Sequence, residues 1–154
     1  MVEKALDTFI KSIIIYFQET YSIDVNIGAP YLISDANELS GDFTGAINIS
    51  GEYEGSCYFS TPKALLQKVL ESLSLGTEID INSDEILSDI AGEIANTLSG
   101  NARLDLGEDF IISIPKIYRG TSAVAGLAEE VSRVYAIPIH WNNQKAYLGV
   151  HLNQ

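Results

Sequence analysis

From Ser83 to about Arg103 the apolar residues recur with a helical period, and the two sides of that helix have opposite chemistry. Asp89, Glu93 and Asn96 stand at i, i+4 and i+7 and share one face. Leu87, Ile90, Ile94, Thr97 and Leu98 fall on the opposite side. A helix divided in this way has to lie on a core, because burial of its apolar stripe is what chiefly stabilises it. The same packing leaves two acids and a carboxamide in water, with Gly92 letting a partner approach closely. Ser83 can cap the helix, and Asp84 and Glu85 in its first turn complement the dipole. Taken alone, such a stripe is more often a solvated face than a site. Its chemistry nevertheless suits the holding and orienting of a small polar reactant.

The rest of the chain supplies layers for that helix to cover. Leu6, Phe9, Ile10, Ile13, Ile14 and Phe17 follow the i, i+3, i+4 pattern and predict a first helix over roughly 3–21, ending near Ser22. Alternation in Gly45–Ser50 and Glu54–Phe59 predicts two strands of a hairpin joined around Gly51 and Gly55. Ser60-Thr61-Pro62 supplies a cap and a proline at a helix start, and Leu65, Leu66, Val69, Leu70 and Leu73 continue the second helix up to Gly76. Phe110–Ile117 reads as a strand and Thr121–Glu130 as a loop or short helix. Val131–Trp141 and Gln144–Leu152 read as a closing hairpin around Asn142-Asn143. Pro138 should place its strand at an edge or a bulge. Helix and hairpin, a linking helix, then helix and strands again suggest a duplicated unit at the level of pattern.

Bulk properties exclude several functions. The 154 residues, 46% of them hydrophobic, fit one compact domain spanning 1–154. A net charge of −12, from 21 acidic and 9 basic residues, opposes a grip on nucleic acid or an anionic membrane. The single cysteine, Cys57, has no partner for an internal disulfide and its neighbours Tyr58 and Phe59 suggest burial, which points to the cytoplasm. The apolar run Phe9–Phe17 is interrupted by Lys11 and Ser12 and is too short to span a bilayer, which takes about 20 residues. Asp80-x-Asn82-x-Asp84 imitates the start of a calcium loop, but Glu85 and Ala91 occupy the positions of its glycine and bidentate acid. His140 and His151 fall several pairs apart on the last hairpin with no third ligand, so no metal site is expected. Trp141 and the eight tyrosines are read as core and strand-surface packing. The glycine and nucleophile motifs of nucleotide-binding folds and serine hydrolases are missing.

Asp89-x-x-x-Glu93-x-x-Asn96, set within Asp89-Ile-Ala-Gly-Glu-Ile-Ala-Asn-Thr-Leu-Ser-Gly100, resembles the signature of the CheC/CheX/FliY group of chemotaxis phosphatases. Gly51–Ser60 looks like that family's first hairpin, and Ile112–Gly120 like its strand after the signature helix. The first helix carries no Glu-x-x-Asn, so the single-site CheX type is the nearer match. The interval from Asn96 to Pro115 is a few residues shorter than the family pattern, which trims the loop around Gly107-Glu108-Asp109. The resemblance implies an α+β fold, an antiparallel sheet covered by helices in pseudo-duplicated helix–hairpin units, with the first and third helices side by side. It further implies hydrolysis of the phosphoaspartate of a CheY-like response regulator. In that role Asn96 would position the attacking water and Glu93 would pair with the regulator's active-site lysine. Asp89, Gly92 and Gly100 would lie at the contact. The resemblance implies no cofactor of the chain's own, Mg²⁺ on the regulator, and a homodimer joined through an exposed sheet edge. The alternative is a non-catalytic module that binds a regulator or signalling complex through the same helix.

Overall fold

The computed structural model describes residues 2–39, 41–73, 79–107, 109–120 and 133–153. Helix α1 (Val2–Tyr21) is followed by two short strands, β1 (Asn26–Ile27) and β2 (Tyr31–Leu32), and a 3-10 turn at Ala36–Leu39. The hairpin β3 (Phe43–Gly51) and β4 (Glu54–Thr61) leads into α2 (Lys63–Leu73) and α3 (Asp84–Leu106). Strands β5 (Phe110–Ile112) and β6 (Lys116–Arg119) precede the final hairpin, β7 (Tyr135–Trp141) and β8 (Gln144–Asn153). The predicted boundaries of α1, α3 and both hairpins therefore hold to within a few residues. The expected loop or short helix at 121–130 lies outside the described residues.

Alternation along the strands sorts their side chains onto two faces of one antiparallel sheet. Ile47, Cys57, Phe59, Ile137, Ile139 and Leu148 point to the same side and form the main core with the buried faces of the three helices. Their neighbours Tyr58 and Ala136 join Ile33, Leu39 and Val134 in a smaller cluster, with Ala46 and Tyr147 packed against it. The 3-10 turn supplies Leu39 to that second face. Helix α1 ends where Ser22 adopts a left-handed conformation, φ 57°, and the N–H groups of Ser22 and Ile23 satisfy the carbonyls of Gln18 and Phe17.

Strand order is β1-β7-β8-β4-β3-β5, with β2 also on β7 and β6 also on β3. The two hairpins meet at β4 and β8, and each has its outer strand flanked by an edge strand broken in two. This is the duplicated pattern expressed in space. The break after β5 is a departure from the continuous strand expected over 110–117. Ser113 still donates its N–H to the Asn48 carbonyl and accepts from the Asn48 N–H through Oγ, but Ser113–Pro115 then leaves the ladder. The missing N–H of Pro115 accounts for the interruption. Pro138 lies one strand in from the edge, opposite the gap between β1 and β2, where its carbonyl accepts from Gly28 and its absent N–H costs no ladder bond. Asn142 and Asn143, φ 50° and 62°, form the two-residue turn of the last hairpin. Among the described residues no helix is long and apolar enough to cross a membrane.

Candidate functional site

The site begins with how α3 is seated. Ser83 caps it, its Oγ accepting from the Ile86 N–H at 3.3 Å, and Asp84 reaches Arg119 at 3.0 Å and Lys63 at 3.7 Å. These ion pairs are half exposed and contribute little. Seating comes chiefly from burial of Leu87, Ile94 and Leu98, about 1.5–3 kcal/mol for each such side chain. Close approach comes from small residues: a Cβ at Gly45 on β3 would stand 2.9 Å from the Ala91 carbonyl oxygen and 2.9 Å from the Ala95 methyl. Helix α1 closes the other flank, with Ser12 Oγ donating to the Leu98 carbonyl at 3.4 Å. The expected pairing of the first and third helices is therefore present.

With that seating fixed, Asp89, Glu93 and Asn96 are all exposed, as the stripe predicted. Ile90 and Thr97, expected on the buried side, are half-buried and lie at its margin. Among the described residues neither Glu93 nor Asn96 has a side-chain hydrogen bond or ion pair, so their capacity to donate and accept is unspent. Gly92, Asn96 and Gly100 form one i, i+4, i+8 row. A Cβ on Gly92 would meet Ile117 at 2.8 Å and Pro115 at 3.4 Å, and one on Gly100 would meet Ile112 at 3.6 Å. The space that Gly92 leaves is thus filled by this chain's own β5–β6 segment, which corrects the expectation that it is open to a partner. Gly100 likewise faces Ile112. Asn96, between them on the row, stands beside the Ser113–Pro115 break, where Ile114 is 85% exposed.

Near the end of α1, Tyr16 and Tyr21 are buried with their hydroxyl oxygens 2.7 Å apart. Burial pushes both phenols above the ordinary range, and the charge of Glu93 adds to the effect on each. Sequence reasoning treated the tyrosines as packing and missed this pair. The available signal was two tyrosines on a buried helix face where phenylalanine would fill the same space. The Ser113–Pro115 break was also missed, although Pro115 marked it.

The remaining candidates settle into structural roles. Asp80 accepts from the Asn82 backbone N–H at 3.0 Å, and Asp84 is taken by Lys63 and Arg119. His140 pairs in register with Lys145 and His151 with Ser56, so the two histidines are well separated. His151 is buried, with Nδ1 3.4 Å from the Arg133 carbonyl oxygen. Cys57 is fully buried, which raises its thiol pKa from 9.0 to about 12. A cavity of about 300 Å³ lined by Leu6, Leu32, Tyr135, Val150 and Leu152 lies away from Glu93 and Asn96. The arrangement at α3 is an exposed ridge, able to enter another molecule's cleft.

Comparison with known proteins bears on the same helix. The profile of the chemotaxis phosphatase CheX matches residues 43–140, which include Glu93 and Asn96. No curated protein matches the chain. Among solved structures, chemotaxis protein CheX from Vibrio vulnificus is 20% identical, with TM-score 0.78 over 97% of this chain and 99% of that one. A chemotactic CheC-like protein from Shewanella oneidensis is 21% identical, with TM-score 0.78 over 99% and 100%. The CheX–CheY–BeF3–Mg²⁺ complex from Borrelia burgdorferi is 17% identical, with TM-score 0.76 over 97% and 98%. At these identities the structures share the fold, and the profile match carries the assignment: this chain belongs to the CheX family of chemotaxis phosphatases.

Proposed function

We propose that this protein hydrolyses the phosphoaspartate of a CheY-like response regulator, with Asn96 positioning the attacking water and Glu93 docking the regulator's active-site lysine. The observation that carries the reading is the pair itself, exposed one turn apart on α3 with no competing internal partner among the described residues, inside the segment matched by the family profile. The complex of a CheX with CheY, BeF3 and Mg²⁺ supports a regulator as the partner.

The chemistry asks little of this chain. Water attacks phosphorus, the bond from phosphorus to the aspartyl oxygen breaks, and inorganic phosphate leaves the restored carboxylate. A regulator brings its own lysine and Mg²⁺ to neutralise the phosphoryl oxygens, so the missing ingredient is a water held in line. A carboxamide suits that task because its oxygen accepts from water while its NH₂ donates to a phosphoryl oxygen. A hundredfold acceleration needs about 2.7 kcal/mol, within reach of one positioned water and one ion pair. Asp89 sits a turn earlier, at the rim of the contact. The reading places the protein in the cytoplasm with its regulator, as a homodimer joined through a sheet edge, which sedimentation tests.

The deciding measurement is decay of phosphorylated regulator with and without the protein. Wild type should accelerate decay and Asn96→Ala should remove at least tenfold of that acceleration, the scale of one positioned group. An Asn96→Ala protein as fast as wild type overturns the water-positioning role. Tight binding with unchanged decay would instead identify a non-catalytic module.

A further inference from the structure

The ridge of α3 offers charge but little apolar area. Asp89, Glu93 and Asn96 are exposed, and pairs between exposed charges add little to affinity because water and salt screen them. A partner held against this ridge gains more from an apolar side chain that it can bury, and a few such anchors carry most of the energy of protein interfaces. Ile114, 85% exposed, is a side chain of that kind.

Its place is fixed from both sides of the strand break. A Cβ on Gly92, one turn before Asn96, would meet Pro115, and one on Gly100, one turn after Asn96, would meet Ile112. Ser113 and Ile114 lie between those two contacts and so pass abreast of Asn96. The segment is also held still. Ser113 donates its N–H to the Asn48 carbonyl at 2.9 Å, its Oγ accepts from the Asn48 N–H at 2.9 Å, and the same Oγ donates to the Ile114 carbonyl at 3.0 Å. Pro115 then fixes the next φ. An isoleucine presented on such a frame loses little freedom when a partner covers it. On the same edge Ile111 is 54% exposed, and a groove of about 290 Å³ lined by Ile114, Ala46, Tyr58 and Tyr118 can receive a side chain in return.

Resting on the reading that a regulator docks on α3, we propose that Ile114 is the apolar anchor of that docking: it is buried against an apolar patch of the regulator beside the phosphorylated aspartate while Glu93 and Asn96 enter the active centre. The surface is assigned to the regulator because it is continuous with the ridge. A second copy of this chain seated on the β5–β6 edge would stand in front of Asn96. Ile114 touches no reacting atom; it sets how long the regulator stays and leaves the water to Asn96.

The test pairs binding of a regulator carrying BeF3 and Mg²⁺ with steady-state dephosphorylation. Ile114→Ser should raise both Kd and KM about tenfold or more, the scale of one buried aliphatic side chain, with kcat held to within about twofold. Substitution of so exposed a side chain leaves the fold intact. Ile114→Leu, which restores the apolar volume, should recover the wild-type values to within about threefold. Leu104 is 87% exposed and lies two turns beyond Asn96 on α3, about 12 Å along the axis, so Leu104→Ser should leave Kd unchanged and controls for general adhesiveness. Ile114→Ser should weaken binding equally in an Asn96→Ala background, since anchor and water act independently. An unchanged Kd in Ile114→Ser, an equal loss in Leu104→Ser, or a loss that leucine does not repair overturns the inference. So does a wild-type dimer that Ile114→Ser dissociates, which would give the edge to a second copy. Regulator decay left unchanged by wild type overturns the phosphatase reading alone, because Kd is read without turnover.

Discussion

Asn96 works, in the proposed reaction, through a group that keeps the same donors and acceptors at every physiological pH. Unlike the acids on either side of it along α3, it is uncharged and offers a donor as well as an acceptor. Asn96→Asp preserves size and the acceptor but replaces the donating NH₂ with an anion facing a phosphoryl group, and like charges at close range are repulsive. The expected outcome is loss of most of the acceleration of regulator decay, at least as severe as in Asn96→Ala. Because the side chain is exposed, melting should show a stability change within about 0.5 kcal/mol of wild type. Loss of activity together with a large loss of stability would mean that Asn96 serves the fold.

Helix α3 can present that residue because it sits unusually close to β3. Gly45 faces Ala91 and Ala95, and any side chain on the strand at that point would contact helix backbone that cannot rotate away. Gly45→Ala should therefore cost about 1–3 kcal/mol, read from denaturant unfolding, and should displace the ridge relative to its flanks. A neutral substitution would show that the helix shifts freely on the sheet. Both sheet edges are made of short pieces, β1 with β2 and β5 with β6, divided at Gly28–Pro30 and at Ser113–Pro115. Pairing of two copies through either edge would therefore use only a few ladder positions. At α3 the second break has an added consequence, since it sets Pro115 against Gly92 beside the row that carries Asn96.

On the scale of the whole molecule, Cys57, Tyr16 and Tyr21 are buried groups that titrate in alkali, and all three are raised chiefly by burial. The folded state keeps these protons after an unfolded chain has released them, so stability is full below the unfolded values of 9.0 for Cys57 and 10.0 for the tyrosines, and declines as pH rises toward the folded ones. The melting temperature should fall from about pH 9 upward, and Tyr16→Phe should flatten the fall above pH 10. A flat alkaline profile would contradict the burial of all three. Helices α1 and α3, the two hairpins and the solvent-facing stripe could be read from the sequence because each is set by local periodicity, and the Asn142-Asn143 turn by the tolerance of asparagine for positive φ. The break in 110–117 was harder, since Pro115 could mark an edge as well as an interruption. What lies on either flank of Asp89, Glu93 and Asn96 was not legible. Gly92 is compatible with a docking partner or with an internal neighbour, and two tyrosines five residues apart do not announce that their hydroxyls meet. The chain's own periodicity determined which face of α3 sees water. Only the folding of distant segments onto that helix decided that Ile117 fills the space at Gly92 and that Gly45 faces Ala91 and Ala95, because contacts between residues far apart in sequence leave no periodic trace.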